Sequence, residues 1–438
     1  MGEKRANTNV SMSVTLACFA STLTLNPLPG REREWVRVKA SREGKERNRT
    51  RDVCIRSQRT ALALLFLLAA VVPGVGLARA GEAGPAWQAQ WEETVRAAEE
   101  EGQLALYTLD EVGQLFVNGG FQKRFPKIKL VWVSARGGEL VARIMAERRA
   151  GRFLVDVGNL GNTSPYTLYQ ARALDPISSA FILPEVKDGS RWWQGRHHYI
   201  DPEGKYVLVF VGAPLYLVAY NTQLVNPKEF QSYSDLLDPK WKGKMAAFDP
   251  RSGGFAATRD RFFYHHRELG PQFLRRLHGE MELTLYRQYP QGENWLATGK
   301  VSLCLCRHQS ISEARRQGLP VDLVDPSLFR EGVGVESRAK TLVLINKAPH
   351  PNAAKLFINW FLSREGQIDF QQLSAQYLDG GAEGSLRVDI PKDDLPPRNR
   401  LVPGVKYIPQ WLPEMFDMKP IRRVIDDALA EASRRRGL

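Results

Sequence analysis

Apolar positions between residues 87 and 377 recur with two alternating periods. "WQAQWEETVRAAEEEG" at 87–102 carries its apolar side chains at helical spacing and stops at Gly102, and "LALYTL" at 104–109 follows as a strand. "GGFQKRFP" at 119–126 closes a short helix and "KIKLVWVS" at 127–134 is the next strand. "SARGGELVARIMAERRAG" at 134–151 then reads as an amphipathic helix. Leu140, Val141, Ile144 and Met145 form its stripe, Glu139 is expected to pair with Arg143 four residues on, and Gly151 is its stop. "FLVDVGNL" at 153–160 is a third strand and "SPYTLYQARAL" at 164–174 a helix. Strands alternating with helices predict an α/β fold with parallel strands.

The middle of the chain breaks the rhythm. "KYVLVFVGAPLYLVAYNT" at 205–222 is read as two adjacent strands separated by Gly212-Ala213-Pro214, since that interruption is wrong for a membrane span. The alternation resumes through "GKMAAFDPRSGGFAATRDRFFYHHRELG", "ENWLATGKVSLCLC", "SISEARRQG", "LPVDLVDP" and "KTLVLINKAPHPNAAKLFINWFLSREGQ", ending at residue 367. A Pro-rich tail from about 385 leads into a last helix, "PIRRVIDDALAEASRRR". Two runs of sheet separated by the strand pair predict two lobes with crossovers, and loops at the carboxyl ends of such strands are where ligands bind.

Charge and cysteine change little of this. The chain has 438 residues and a formal net charge of +13, but residues 1–80 contribute 14 Lys/Arg against 6 Asp/Glu, leaving +5 for the rest. With no nucleic-acid motif in that remainder, a nucleic-acid partner is not expected. Arg56 and Arg59 precede the apolar run "ALALLFLLAAVV" at 61–72, Pro73-Gly74 break it, and "ARA" at 78–80 has the form of a cleavage site, so residues 56–80 read as a signal peptide cut after Ala80. Residues 1–55 read as disordered or an over-extended start. Cys18 and Cys54 lie in that leader. Cys304 and Cys306 fall on one face of a strand, a poor geometry for a disulfide, and are read as buried thiols.

Two loops carry candidate chemistry. Ser134, Arg136, Gly137 and Gly138, and then Arg251, Ser252 and Gly253, each follow a strand and open a helix. Helix starts offer free N–H groups and partial positive charge, so two of them on facing lobes would clamp an anion, with an arginine from each. Trp192, Tyr289, Arg307 and His308 are further candidates. There is no H-E-x-x-H, G-x-S-x-G or Walker sequence, so neither enzyme chemistry nor a cofactor is expected. The adjacent pairs His197-His198 and His265-His266 are read as surface residues rather than metal ligands, and no metal site is assigned.

"SARGGELVARIMAERRAG", "VAYNTQLV", "SYSDLLDPKWKGKMAAFDPRSGG" and "KAPHPNAAKLFINWFLSREGQ", with the export signal, resemble the extracellular solute-binding proteins of ABC importers. The branch they resemble is family 1, that of ferric-iron, phosphonate and sugar-phosphate transport, over roughly residues 87–410. The resemblance implies a two-lobe class II periplasmic-binding-protein fold with crossover hinge strands, Tyr220-Asn221-Thr222 matching the crossover. One lobe would take 87–218 with 335–375, the other 219–334 with 376–438. The helix from Pro351 would pack one lobe through Phe357, Trp360 and Phe361. It also implies a periplasmic monomer that passes a small solute, anionic or polar, to an ABC permease in the inner membrane. Ferric-binding relatives use an adjacent tyrosine pair, which this chain lacks. Arg307-His308-Gln309 stands in that neighbourhood and suits an anion better, so a ferric cargo, with Tyr286 and Tyr289 as ligands, is the alternative. A secreted hydrolase is the rival from another class.

Overall fold

The computed structural model of the chain describes residues 85–252, 254–378, 382–435 and 437. The leader features, from the 1–55 stretch to the signal at 56–80, lie outside the described residues, as does Gly253. Among the described residues no helix is long and apolar enough to cross a membrane.

The strands run in chain order as β1 (Gln103–Thr108), β2 (Lys129–Ser134), β3 (Val157–Asn159), β4 (Leu174–Asp175), β5 (His198–Tyr199) and β6 (Val207–Val209). There follow β7 (Ala213–Pro214), β8 (Ala219–Asn221), β9 (Met245–Phe248), β10 (Thr284–Tyr286), β11 (Leu303–Leu305) and β12 (Val321–Leu323). The last three are β13 (Val333–Glu336), β14 (Thr341–Ile345) and β15 (Tyr407–Pro409). A first sheet has the order β2-β1-β3-β14-β6-β5, with β4 also on β14. Its β1 is parallel to β2 and β3, whereas β14 is antiparallel to β3 and β6. A second sheet has the order β10-β9-β11-β8-β12, with β9, β10 and β11 parallel and β8 antiparallel to both neighbours. β7, β13 and β15 form a small third sheet.

The 205–222 run is therefore three strands, not two. Ala213-Pro214, read from sequence as the interruption, is itself β7, and β6, β7 and β8 belong to three different sheets. Proline can sit there because β7 is an edge strand that needs no donor from it. Tyr220 and Asn221 lie in β8, already inside the second sheet, so the crossing precedes them.

Each sheet has its own core. In the first, helix Pro351–Leu362 contributes Phe357, Trp360 and Phe361 as expected, with Phe361 edge-on to Phe210 at 4.9 Å and Phe357 edge-on to Phe121 at 5.2 Å. In the second, the period of two in β9 sends Met245 and Ala247 to one face and Ala246 and Phe248 to the other, and both faces are packed. The tail divides: Leu386 and Trp411 join the first core, while Ile421 and Ile425 of helix Lys419–Arg435 join the second.

Two local expectations fail. Arg143 pairs with Glu147 at 2.8 Å rather than with Glu139, because Tyr107 donates to the same Glu147 carboxylate at 2.7 Å and the guanidinium lies over its ring. Cys304 and Cys306 are joined as a disulfide. An extended i,i+2 pair spans about 6.6 Å, but at the end of β11 the two Cα atoms lie 5.2 Å apart, within disulfide range.

Candidate functional site

Loops from both sheets enclose a cleft of about 470 Å³. Asn162 follows β3, Gly254 and Thr258 follow β9, Tyr289 follows β10, and Arg307 and His308 follow β11. All four segments lie beyond the carboxyl ends of strands, where the ridge of an open α/β sheet leaves room for a ligand. Glu336 to Lys340, the turn from the small sheet back into β14, supplies another wall, and Glu383 a further one.

Arg338 dominates the charge of this wall. Its side chain is 5% exposed. Nη2 donates both its hydrogens, to Nε2 of His308 at 2.9 Å and to Oδ1 of Asn399 at 2.8 Å. Nε and Nη1 are buried without a hydrogen-bond partner, the nearest carboxylate oxygen, on Glu336, being 3.9 Å from Nε. Because arginine can only donate, His308 accepts through Nε2 and carries its proton on Nδ1. Burial, and then the charges of Arg338, Arg307 and Arg398, hold this imidazole well below its usual range, so it is neutral. The backbone that presents Arg338 is left-handed at two successive non-glycine residues, Arg338 at φ 46° and Ala339 at φ 63°. Such conformations persist only where the surroundings impose them.

Beside it, Lys340 is buried, donates to the Arg338 carbonyl at 3.1 Å and pairs with Glu383 at 3.6 Å. Burial, and then the neighbouring Glu383, push the Glu336 carboxyl up, while Arg338 draws it down. On the opposite side Tyr289 stacks on Phe248 at 4.5 Å, and the exposed Arg307 guanidinium lies 4.5 Å over the tyrosine ring. The cleft thus presents two arginines and a lysine against two carboxylates.

Of the residues singled out in the sequence, Tyr289, Arg307 and His308 line this cleft. Ser134, Arg136, Gly137 and Gly138 are not among its lining residues. A Cβ on Gly137 would sit 2.4 Å from the Leu160 carbonyl oxygen and 2.7 Å from Ser164 Oγ, so this glycine is required by the loop packed against it rather than by a ligand. Nothing lies within 4 Å of a Cβ on Gly138. Arg136 is exposed and has no ion pair among the described residues, while Ser134 Oγ is buried without a partner.

Arg251 folds back onto Asp249, Nε to Oδ1 at 2.8 Å and Nη2 to Oδ2 at 2.9 Å, and Arg287 reaches the same carboxylate at 2.9 Å. Burial would raise Asp249, but these hydrogen bonds outweigh it and hold the carboxyl well below its usual range. Arg251 is thereby neutralised from within, and neither it nor exposed Ser252 lines the cleft. Trp192 is 1% exposed in the first core, beneath Arg387. One histidine of each adjacent pair is not at the surface: His198 and His266 are buried, while His197 and His265 are half-buried, and His198 donates from Nε2 to the Trp193 carbonyl at 2.8 Å. Tyr286 is buried with its hydroxyl 3.5 Å from Cys304 Sγ. Among the described residues no three His, Cys, Asp or Glu side chains converge to hold a metal ion.

Comparison with known proteins bears on the fold and family. The family model described as "Bacterial extracellular solute-binding protein" matches residues 174–265. An uncharacterised protein of Haemophilus influenzae is 32% identical over 258 residues, which cover 55% of this chain and 67% of that protein. Apo FutA2 of Synechocystis PCC6803 superposes with a TM-score of 0.54 at 16% identity, over 75% of this chain and 98% of that one. FutA of Trichodesmium, solved in complex with iron and citrate ligands, gives 0.53 at 18% identity over 76% and 99%. An ABC transporter structure from Clostridium perfringens gives 0.53 at 15% identity, also over 76% and 99%. The two-sheet architecture is that of the periplasmic binding proteins.

Proposed function

We propose that this chain, which belongs to the bacterial extracellular solute-binding proteins, captures a small anionic solute in the cleft between its two sheets and delivers it to an ABC permease from the periplasm. One observation carries the reading: the Arg338 guanidinium is buried at the cleft with Nε and Nη1 unpartnered. Leaving a buried charged donor unsatisfied costs more than an ordinary hydrogen bond returns, so an acceptor arriving there is strongly favoured. An anion supplies that acceptor, and Arg307 and the amide of Asn162 approach from the other walls. A solute touching loops of both sheets binds the closed arrangement better than an open one, and closure follows as a population shift.

Titration calorimetry against phosphonates, sugar phosphates, di- and tricarboxylates, polyamines, neutral sugars and ferric citrate tests this. One anion class should bind, and Arg338→Gln should weaken it by at least about tenfold. Binding of polyamines or neutral sugars alone would overturn the proposal. A ferric ion is the second reading, favoured by the Tyr289 phenol at the cleft and opposed by the arginine lying on that ring. Binding confined to ferric citrate, with visible charge-transfer colour, would establish it instead.

A further inference from the structure

A second cavity, of about 490 Å³, is lined by the 384–405 segment, including Asn399, whose Oδ1 accepts from Arg338 of the cleft. Its walls are largely apolar, with Trp193, Leu386, Leu395, Leu401 and Tyr407 among them, and one lysine, Lys392, enters it. Lys392 Nζ donates to the Ser385 carbonyl at 2.7 Å and reaches Gln371 Oε1 at 3.4 Å, both uncharged. Among the described residues no carboxylate pairs with it. Burial pushes this amine down to about 7, and the more distant Asp389 offsets only part of that.

Of the other two cations of the wall, Arg387 is neutralised by carboxylates, whereas Arg400 meets carbonyls only. Arg387 is held by Asp389, Glu185 and the Leu362 carbonyl. Arg400 is held by the carbonyls of Leu395 and Asp393. A half-buried amine with no carboxylate partner at the edge of an apolar space is costly to keep charged, and an anion there would offset that cost. Small-molecule sites have this composition, an apolar body with one or two polar groups that fix orientation.

We infer that this cavity is a second ligand site, for a small carboxylate with an apolar tail or ring, the carboxylate on Lys392 Nζ and the apolar body against Trp193, Leu386 and Leu395. The site is independent of the anion reading of the cleft, and its ligand differs in needing apolar surface.

The test uses octanoate as the probe, with octanol as its uncharged counterpart, on the full chain. Thermal melting and the tryptophan fluorescence contributed by Trp193 are the readouts. Octanoate should raise the midpoint and shift the emission, and octanol should do so at least tenfold more weakly. Lys392→Met should lose the preference for octanoate. Val402→Trp, at an exposed position on the cavity wall, should fill the space and abolish both effects while leaving the fold intact, which covers the case of a misfolded Lys392 variant. Arg307→Gln, in the cleft, should leave the octanoate response unchanged. No response to octanoate, equal response to octanol, or a response lost in Arg307→Gln and kept in Val402→Trp would overturn the assignment.

Discussion

Gly137 and Gly138 are chemically identical neighbours with opposite surroundings, and the difference is measurable. A methyl on Gly137 meets the Leu160 carbonyl and Ser164, and relief requires a backbone to move. Gly137→Ala should therefore cost about 1–3 kcal/mol, the usual penalty of overpacking. Gly138→Ala meets nothing and gains helix propensity, so its urea midpoint should stay level or rise. Equal losses at the two positions would sink this account. The same scale shows what sequence can and cannot say. The partner that takes Arg251 out of an anion clamp, Asp249, stands two residues upstream of the arginine, in "DPR". Arg307 and His308 were legible because they follow a strand directly. Arg338 was not: "ESRAK" carries no glycine or asparagine to announce a left-handed turn, and a buried arginine has no sequence signature distinct from an exposed one.

At the level of elements, periodicity located most strands and helices, and failed where tertiary partners decide. No local pattern says that two residues, Ala213 and Pro214, form a strand, since that strand exists only through its pairing with β13. Nor does alternation in "VSLCLC" reveal that the strand stops one residue short of its second cysteine. The 337–340 turn is the element on which the site depends, and it holds an alanine at φ 63°. A non-glycine residue there costs about 1–2 kcal/mol, so Ala339→Gly should raise the thermal midpoint while loosening the presentation of Arg338 and weakening solute binding. A lowered midpoint would show that Ala339 is not strained.

For the whole molecule, buried neutral histidines make stability depend on mild acid. Burial, aided by Arg196 and His197, pushes His198 down to about 4, from an unfolded value of about 6.5. Its folded-state pKa is depressed, so the unfolded chain binds the proton first. The resulting stability is complete above pH 6.5 and drains away as the pH falls towards 4, by about 3 kcal/mol in full. His308 is shifted in the same direction and adds to the loss. Denaturant melts at pH 7 and pH 5 should differ, and His198→Gln should shrink the difference; an unchanged difference would remove that histidine from the explanation.

The strand order of the first sheet has a consequence for how the chain is made. β14, residues 341–345, sits between β3 and β6, so strands finished early remain split into two groups until a segment some 130 residues later arrives. The second sheet, by contrast, is drawn wholly from residues 219–323. As the polypeptide emerges amino end first, from a ribosome or through a translocation pore, its later sheet has all its strands before its earlier one does. The amino-terminal half must wait, unpaired along β3 and β6, with apolar edges open to whatever meets it. Such a chain invites a holding chaperone during synthesis, and a copy truncated before residue 341 should expose a sticky, incomplete first sheet rather than a smaller folded protein.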